Sequence, residues 1–176
     1  MTEEANIYAS PDAIVADRAG NDLFGEAIGP NNRDFYLSYI DRAAGRGWVA
    51  SWNWPAFFFT SMWLLYRKMW AVFLIYTFAL PVLLITVVGV LGALVGEVAG
   101  AMVNLAGGLA LMIALPAYAN ALYLRKLQSL VSTAEQTFAD EASQRAWLGE
   151  KGGTTWMWVL VILIPFAGGL ILALSA

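Results

Sequence analysis

The order of apolar and polar positions divides the chain into a polar front, three long uncharged runs and one polar interruption. Residues 71–95 (AVFLIYTFALPVLLITVVGVLGALV) and 98–124 carry no charge, and each is long enough to cross a bilayer as a helix. A third uncharged run, 155–176, opens with Trp156 and Trp158 and reaches the C-terminus. Between the second and third runs, residues 125–154 are polar and helix-prone. Leu127, Leu130, Val131, Ala134, Phe138 and Ala142 mark one face there, and Gly149 with Gly152-Gly153 ends the helix. In the front segment Asn31 or Asn32 can cap a helix whose face holds Phe35, Tyr36, Tyr39, Ile40 and Ala43, closed by Gly45 and Gly47. That helix either lies on a membrane surface or packs on the chain's own loops. Gly20, Gly25, Gly29 and Pro30 predict loops and short turns before it.

Residues 47–66 (GWVASWNWPAFFFTSMWLLY) are uncharged but behave differently. Pro55 suits the start of a new helix, and the twelve residues from there to Tyr66 reach only about 18 Å, against a hydrocarbon core of about 30 Å. Phe59, Trp63, Tyr66 and Trp70 fall on one helical stripe, with Arg67 four residues after Trp63 and so in reach of a cation–π contact. The segment reads as re-entrant or interfacial; a full extra span is the competing reading. The expected fold is therefore all-α: a polytopic helical membrane protein with three transmembrane helices, an aromatic re-entrant or interfacial helix, and amphipathic cytoplasmic helices. Its parts are an acidic segment at 1–46 and a membrane domain at 47–176, the latter comprising 47–70, the spans 71–95, 98–124 and 155–176, and the helix 125–154.

Composition agrees with this. The 176 residues are 60% hydrophobic and 13% charged, with mean hydropathy +0.62, whereas soluble domains average about 45–50% and about 25%. The chain has no Cys and no His. Disulfides, thiolate or imidazole metal sites, Cys nucleophiles and His bases are excluded together. A net charge of −3 offers no broad basic surface for nucleic acid. The acidic start MTEEAN has no basic n-region, so no signal peptide is expected. Basic residues orient the spans. Arg67-Lys68, Arg125-Lys126, Arg145 and Lys151 fall on one side and Glu97 on the other, which predicts N-terminus cytoplasmic and C-terminus periplasmic.

Each span carries one proline (Pro81, Pro116, Pro165), either an ordinary kink or part of a midplane site. Gly92, Gly96 and Gly100 form either a packing groove or a turn near Glu97. Glu97 itself reads as a carboxylate in water at the outer interface. Asn53, Thr60, Ser61, Asn104 and Asn120 are candidates for hydrogen bonds between helices. No catalytic constellation, nucleotide cradle or cofactor motif is seen, so an enzyme is not expected.

The block Ser51-Trp52-Asn53-Trp54-Pro55-Ala56-Phe57-Phe58-Phe59, followed by Trp63-Leu64-Leu65-Tyr66-Arg67-Lys68-Met69-Trp70, resembles the signature of a family of small bacterial membrane proteins, domain of unknown function 2628. Tyr118-Ala119-Asn120-Ala121-Leu122-Tyr123-Leu124 with Arg125 resembles its second recurrent stretch, and the likeness covers roughly residues 30–130. Thr60-Ser61 stands where the pattern has a Gly-Pro-like pair. The resemblance implies a bacterial inner-membrane protein and supplies no activity.

Two functional classes follow. The first is a non-catalytic module that meets membrane lipids, a membrane-protein partner or its own copies through Trp52, Trp54, Phe59, Trp63, Tyr66, Arg67, Lys68, Trp70, Arg125 and Lys126. The second is a small oligomeric transporter or channel built around Asn104, Asn120 and the proline kinks; Gly92 and Gly96 are helix-packing candidates in either class.

Overall fold

The computed structural model describes residues 22–44, 46 and 49–175, and among them every regular element is helical. The loops expected around Gly20 and the helix stops at Gly45 and Gly47 lie outside those residues. The chain groups into two compact units. Among the described residues, one comprises 22–44 with 127–153, the other 46–126 with 154–175.

In the first unit, α1 covers 22–28, α2 is Arg33–Ala43 and α8 is Glu141–Lys151. Tyr36, Tyr39 and Ala43 of α2 are buried, while Phe35 is 46% exposed. The buried face thus turns into the protein, as in the second of the two readings of this helix. Asn32 is the N-cap of α2, but it sits at φ 60 and its side chain makes no capping bond. In α8 the cap is made conventionally: the Asp140 carboxylate accepts from the Ser143 N–H at 2.8 Å. Arg145 ties α8 to itself through Glu141 at 2.6 Å and to α1 through Asp22 at 3.2 Å. The C-terminal ends of α1 and α8 meet backbone to backbone, with the Gly153 N–H donating to Ala27 O at 2.8 Å. A Cβ on Gly152 would stand 2.3 Å from the Ala27 carbonyl oxygen, so only glycine fits. Gly149, expected to help end this helix, lies inside α8.

In the second unit the chain enters through α3 (Trp54–Phe58) and α4 (Thr60–Tyr66), then runs through α5 (Trp70–Leu74), a π-helical turn (Ile75–Ala79) and α6 (Leu80–Val95). The π turn has a cause in the sequence. Pro81 has no N–H to give the Thr77 carbonyl, and the ladder shifts register ahead of it, with the Leu80 N–H reaching back to Ile75 O. After a one-residue reversal at Gly96 (φ 115), α7 runs from Glu97 to Thr137.

The helices α6 and α7 form an antiparallel hairpin held by small residues. A Cβ on Gly100 would lie 3.2 Å from Gly92 Cα, and Leu84 lies against Gly107. Farther from the turn, the Tyr76 hydroxyl donates to the Leu111 carbonyl. Both readings of the glycine run therefore apply: Gly96 makes the turn, while Gly92 and Gly100 let the backbones approach. The last helix, α9, is Met157–Ser175 and packs against α4.

Two helices, Trp70–Val95 with 26 residues and Glu97–Thr137 with 41, are long and apolar enough to cross a membrane. Their lengths are about 39 Å and about 62 Å at 1.5 Å per residue, against a core of about 30 Å. No residue of α6 is buried, and Ile85, Leu94, Val98 and Met102 are each more than two-thirds exposed or nearly so. Apolar surface on this scale is unstable in water and stable in lipid. α7 changes character at Leu115. Its first half is exposed and apolar, whereas Leu115, Ala119, Asn120, Tyr123, Leu124 and Leu127 are buried. Arg125-Lys126, expected to close the second span, does not end the helix. Its backbone continues to Thr137, and α8 is the shorter remainder of the polar stretch.

Candidate functional site: an aromatic and cationic collar

The stretch of α7 from Pro116 to Lys126 receives both ends of the 51–67 segment. At the first end, the N–H groups of Ser51 and Asn53 donate to the carbonyls of Ala117 and Pro116 at 2.9 and 3.0 Å. The Asn53 side chain does two jobs. Its oxygen accepts from Ala56 N–H at 2.9 Å, capping α3, and its amide donates to the Asn120 oxygen at 2.8 Å. The Asn120 amide in turn donates to the Ser51 hydroxyl at 3.1 Å. Both asparagines are buried, at 7% and 1% exposure, and every hydrogen bond they make is internal to this unit. Buried amides so satisfied fix a single register between segment and helix.

At the second end, Arg67 is 1% exposed. Its guanidinium lies over the Tyr123 ring at 4.8 Å and the Tyr66 ring at 5.7 Å, and it donates to the Tyr123 hydroxyl at 3.3 Å. Trp63 meets the same Tyr123 ring edge-on at 6.4 Å. Lys126 donates to the Arg67 carbonyl. The turn that frees this carbonyl is a Schellman motif: Met69 N–H returns to Leu64 O at 2.8 Å and Lys68 N–H to Leu65 O at 2.9 Å. Glycine is the usual residue at its left-handed position, and here Lys68 occupies it at φ 55.

The continuous stripe expected for Phe59, Trp63, Tyr66 and Trp70 does not form. The helix breaks at Phe59 (φ −131, ψ 46) and again at the Lys68 turn, which rotates the four rings apart. Trp63 goes inward, Phe59 stays 60% exposed, Tyr66 meets Trp156 at 4.8 Å and Trp70 meets Trp158 edge-on at 4.9 Å. The remaining aromatics form a surface patch. Trp52 and Trp54 touch Phe57, Trp54 stacks on Phe58, and Trp54 and Phe58 are 61% and 65% exposed.

Among the other candidates, Asn104 is exposed on the apolar half of α7, Pro116 lies inside that helix and Pro165 inside α9. Glu97 is exposed at the opposite end of the hairpin, in the first turn of α7, where a carboxylate suits the helix dipole. Among the described residues, no three of Asp, Glu, His or Cys come together in a way that could hold a metal ion. Tyr123 and Ser51 are the residues that reading by type overlooks. Tyr123 lies between Asn120 and Lys126 at helical spacing, which is the signal that groups it with them.

A family model described as protein of unknown function (DUF2628) matches residues 36–128, just over half the chain. The chain belongs to that family. The match contains both anchors of the collar, Asn53 with Asn120 and Arg67 with Tyr123, and stops before α8 and α9. Membership in DUF2628 thus coincides with the segment-on-helix arrangement. No curated protein and no solved structure matches the chain.

Proposed function

We propose that this protein is a non-catalytic integral membrane module that binds a partner protein or organises lipid through its aromatic and cationic collar. One observation carries the reading. A hairpin with bare apolar sides bears exposed aromatics and the cations Lys68, Arg125 and Lys126 at one end, and Glu97 at the other. Tryptophan and tyrosine favour the headgroup level, and cations there meet anionic lipid at about 1 kcal/mol each.

In this reading α5–α6, the first half of α7 and α9 are three membrane spans. The 51–67 segment is re-entrant or interfacial. Its two ends attach to α7 between Pro116 and Lys126, about 15 Å along the axis, which supports entry and return rather than crossing. The basic end faces the cytoplasm of a bacterial inner membrane, with the C-terminus periplasmic.

Gentle solubilisation from native membranes tests the function. A stoichiometric partner or a reproducible lipid set should accompany the protein, and Trp54→Ala with Phe58→Ala should deplete it while membrane insertion persists. Recovery of the bare protein in every mild detergent would contradict the reading. The alternative, a small oligomeric transporter or channel, rests on Asn104, a polar amide on an otherwise apolar face. Solute or ion flux in proteoliposomes, abolished by Asn104→Leu, would favour it instead.

A further inference from the structure

An apolar groove lies along the hairpin in two parts that share walls. Its wider part, about 660 Å³, lies between the α5–π-turn side (Val72, Tyr76) and Leu111, Tyr118 and Leu122 of α7. A narrower part of about 350 Å³ continues past Gly107, and the two share Leu80, Leu111 and Ala114 as walls. The Tyr76 hydroxyl is committed to the Leu111 carbonyl, so the wall offers dispersion contacts and little polar recognition.

The groove's wider part ends at Leu122, and Arg125 follows three residues on along the same face of α7, exposed. The surrounding unit holds five cations (Arg46, Arg67, Lys68, Arg125, Lys126) against the single carboxylate of Glu97, which sits at the far end of the hairpin. An apolar slot that runs down the membrane-facing side and opens toward positive charge complements a molecule with an apolar chain and an anionic head.

Resting on the membrane reading above, we propose that this groove holds one acyl chain of an anionic phospholipid, with its phosphate met by Arg125. The purified full-length chain in mild detergent, offered equal dioleoyl-phosphatidylglycerol and dioleoyl-phosphatidylcholine, is read by native mass spectrometry. One phosphatidylglycerol should be retained in preference. Arg125→Gln should lower that preference about fivefold, the equivalent of one headgroup cation. Ala114→Phe, which fills both parts of the groove, should reduce retention of either lipid, and Leu80→Phe serves as a second plug should the first lose helicity. Equal retention of the two lipids by the unaltered chain, retention undiminished by either plug, or a lipid-free dimer would overturn the proposal. Release of the chain from membranes by alkaline wash would fail the membrane reading itself, whereas a chain that stays and shows no headgroup preference fails the groove alone.

Discussion

The side-chain amide of Asn53 donates to the side-chain oxygen of Asn120 at 2.8 Å, across 67 positions of sequence and inside the protein. The contact joins the stretch 51–59 to the stretch 118–124, both inside the family match. Removing either partner strands a buried amide. Asn53→Ala also removes the cap of α3, so the loss should be about 3 kcal/mol in detergent unfolding. In a double-mutant cycle with Asn120→Ala the two losses should be less than additive by about 1 kcal/mol. Full additivity would mean that the pair is not coupled.

Lys68 holds a left-handed conformation that glycine adopts freely. Lys68→Gly should therefore raise stability by about 1 kcal/mol, and Lys68→Ala should bring no such gain. Retention of lysine at a strained position is expected where its charge is used. The same Lys68→Gly protein should then bind anionic vesicles less well despite being more stable. A glycine variant no more stable than the parent would remove the strain argument.

Gly152 leaves no room for a Cβ beside the Ala27 carbonyl. Gly152→Ala should destabilise the α1–α8 contact by about 3 kcal/mol. Hydrogen exchange should quicken in 22–28 and 141–151, with the α6–α7 hairpin unchanged. Unaltered protection in both helices would contradict the close approach.

Hydrogen bonds from Ser143 hold the Asp140 carboxyl below the usual carboxylate range. A carboxyl lowered in the folded state stabilises above its unfolded pKa, and that contribution disappears as pH falls through the folded one. Stability of α8 should thus decline below about pH 4. Asp140→Asn, which keeps a capping oxygen but cannot ionise, should flatten that part of the profile. An identical acid limb in both proteins would assign the loss elsewhere.

Much of this architecture was legible because long uncharged runs and their interruptions are simple to read. Two uncharged runs marked the two helices long enough to cross, and Pro55 marked a new helix to within one residue, with Asn53 as its cap. The helix at 33–43 was readable from its apolar face, although the left-handed Asn32 was not, since asparagine before a helix serves equally as a side-chain cap and as a left-handed residue. Arg67 follows Trp63 at helical spacing, yet its guanidinium lies over Tyr123 and donates to that hydroxyl, a partner 56 positions away that no local spacing reveals. The extent of α7 was hidden likewise. Arg125-Lys126 looks like the edge of a span, yet charge ends a hydrophobic stretch without ending a helix.

In the proposed membrane module α7 carries the chain from one side of a membrane to the other. The sequence has no cysteine, so single thiols report without background. Glu97→Cys, at the exposed start of α7, and Gln128→Cys, exposed beyond the collar, should be tested in intact cells with a membrane-impermeant thiol reagent. The account predicts labelling of Cys at 97 from outside, with Cys at 128 protected until the inner membrane is opened. Labelling of both positions from the same side would contradict it.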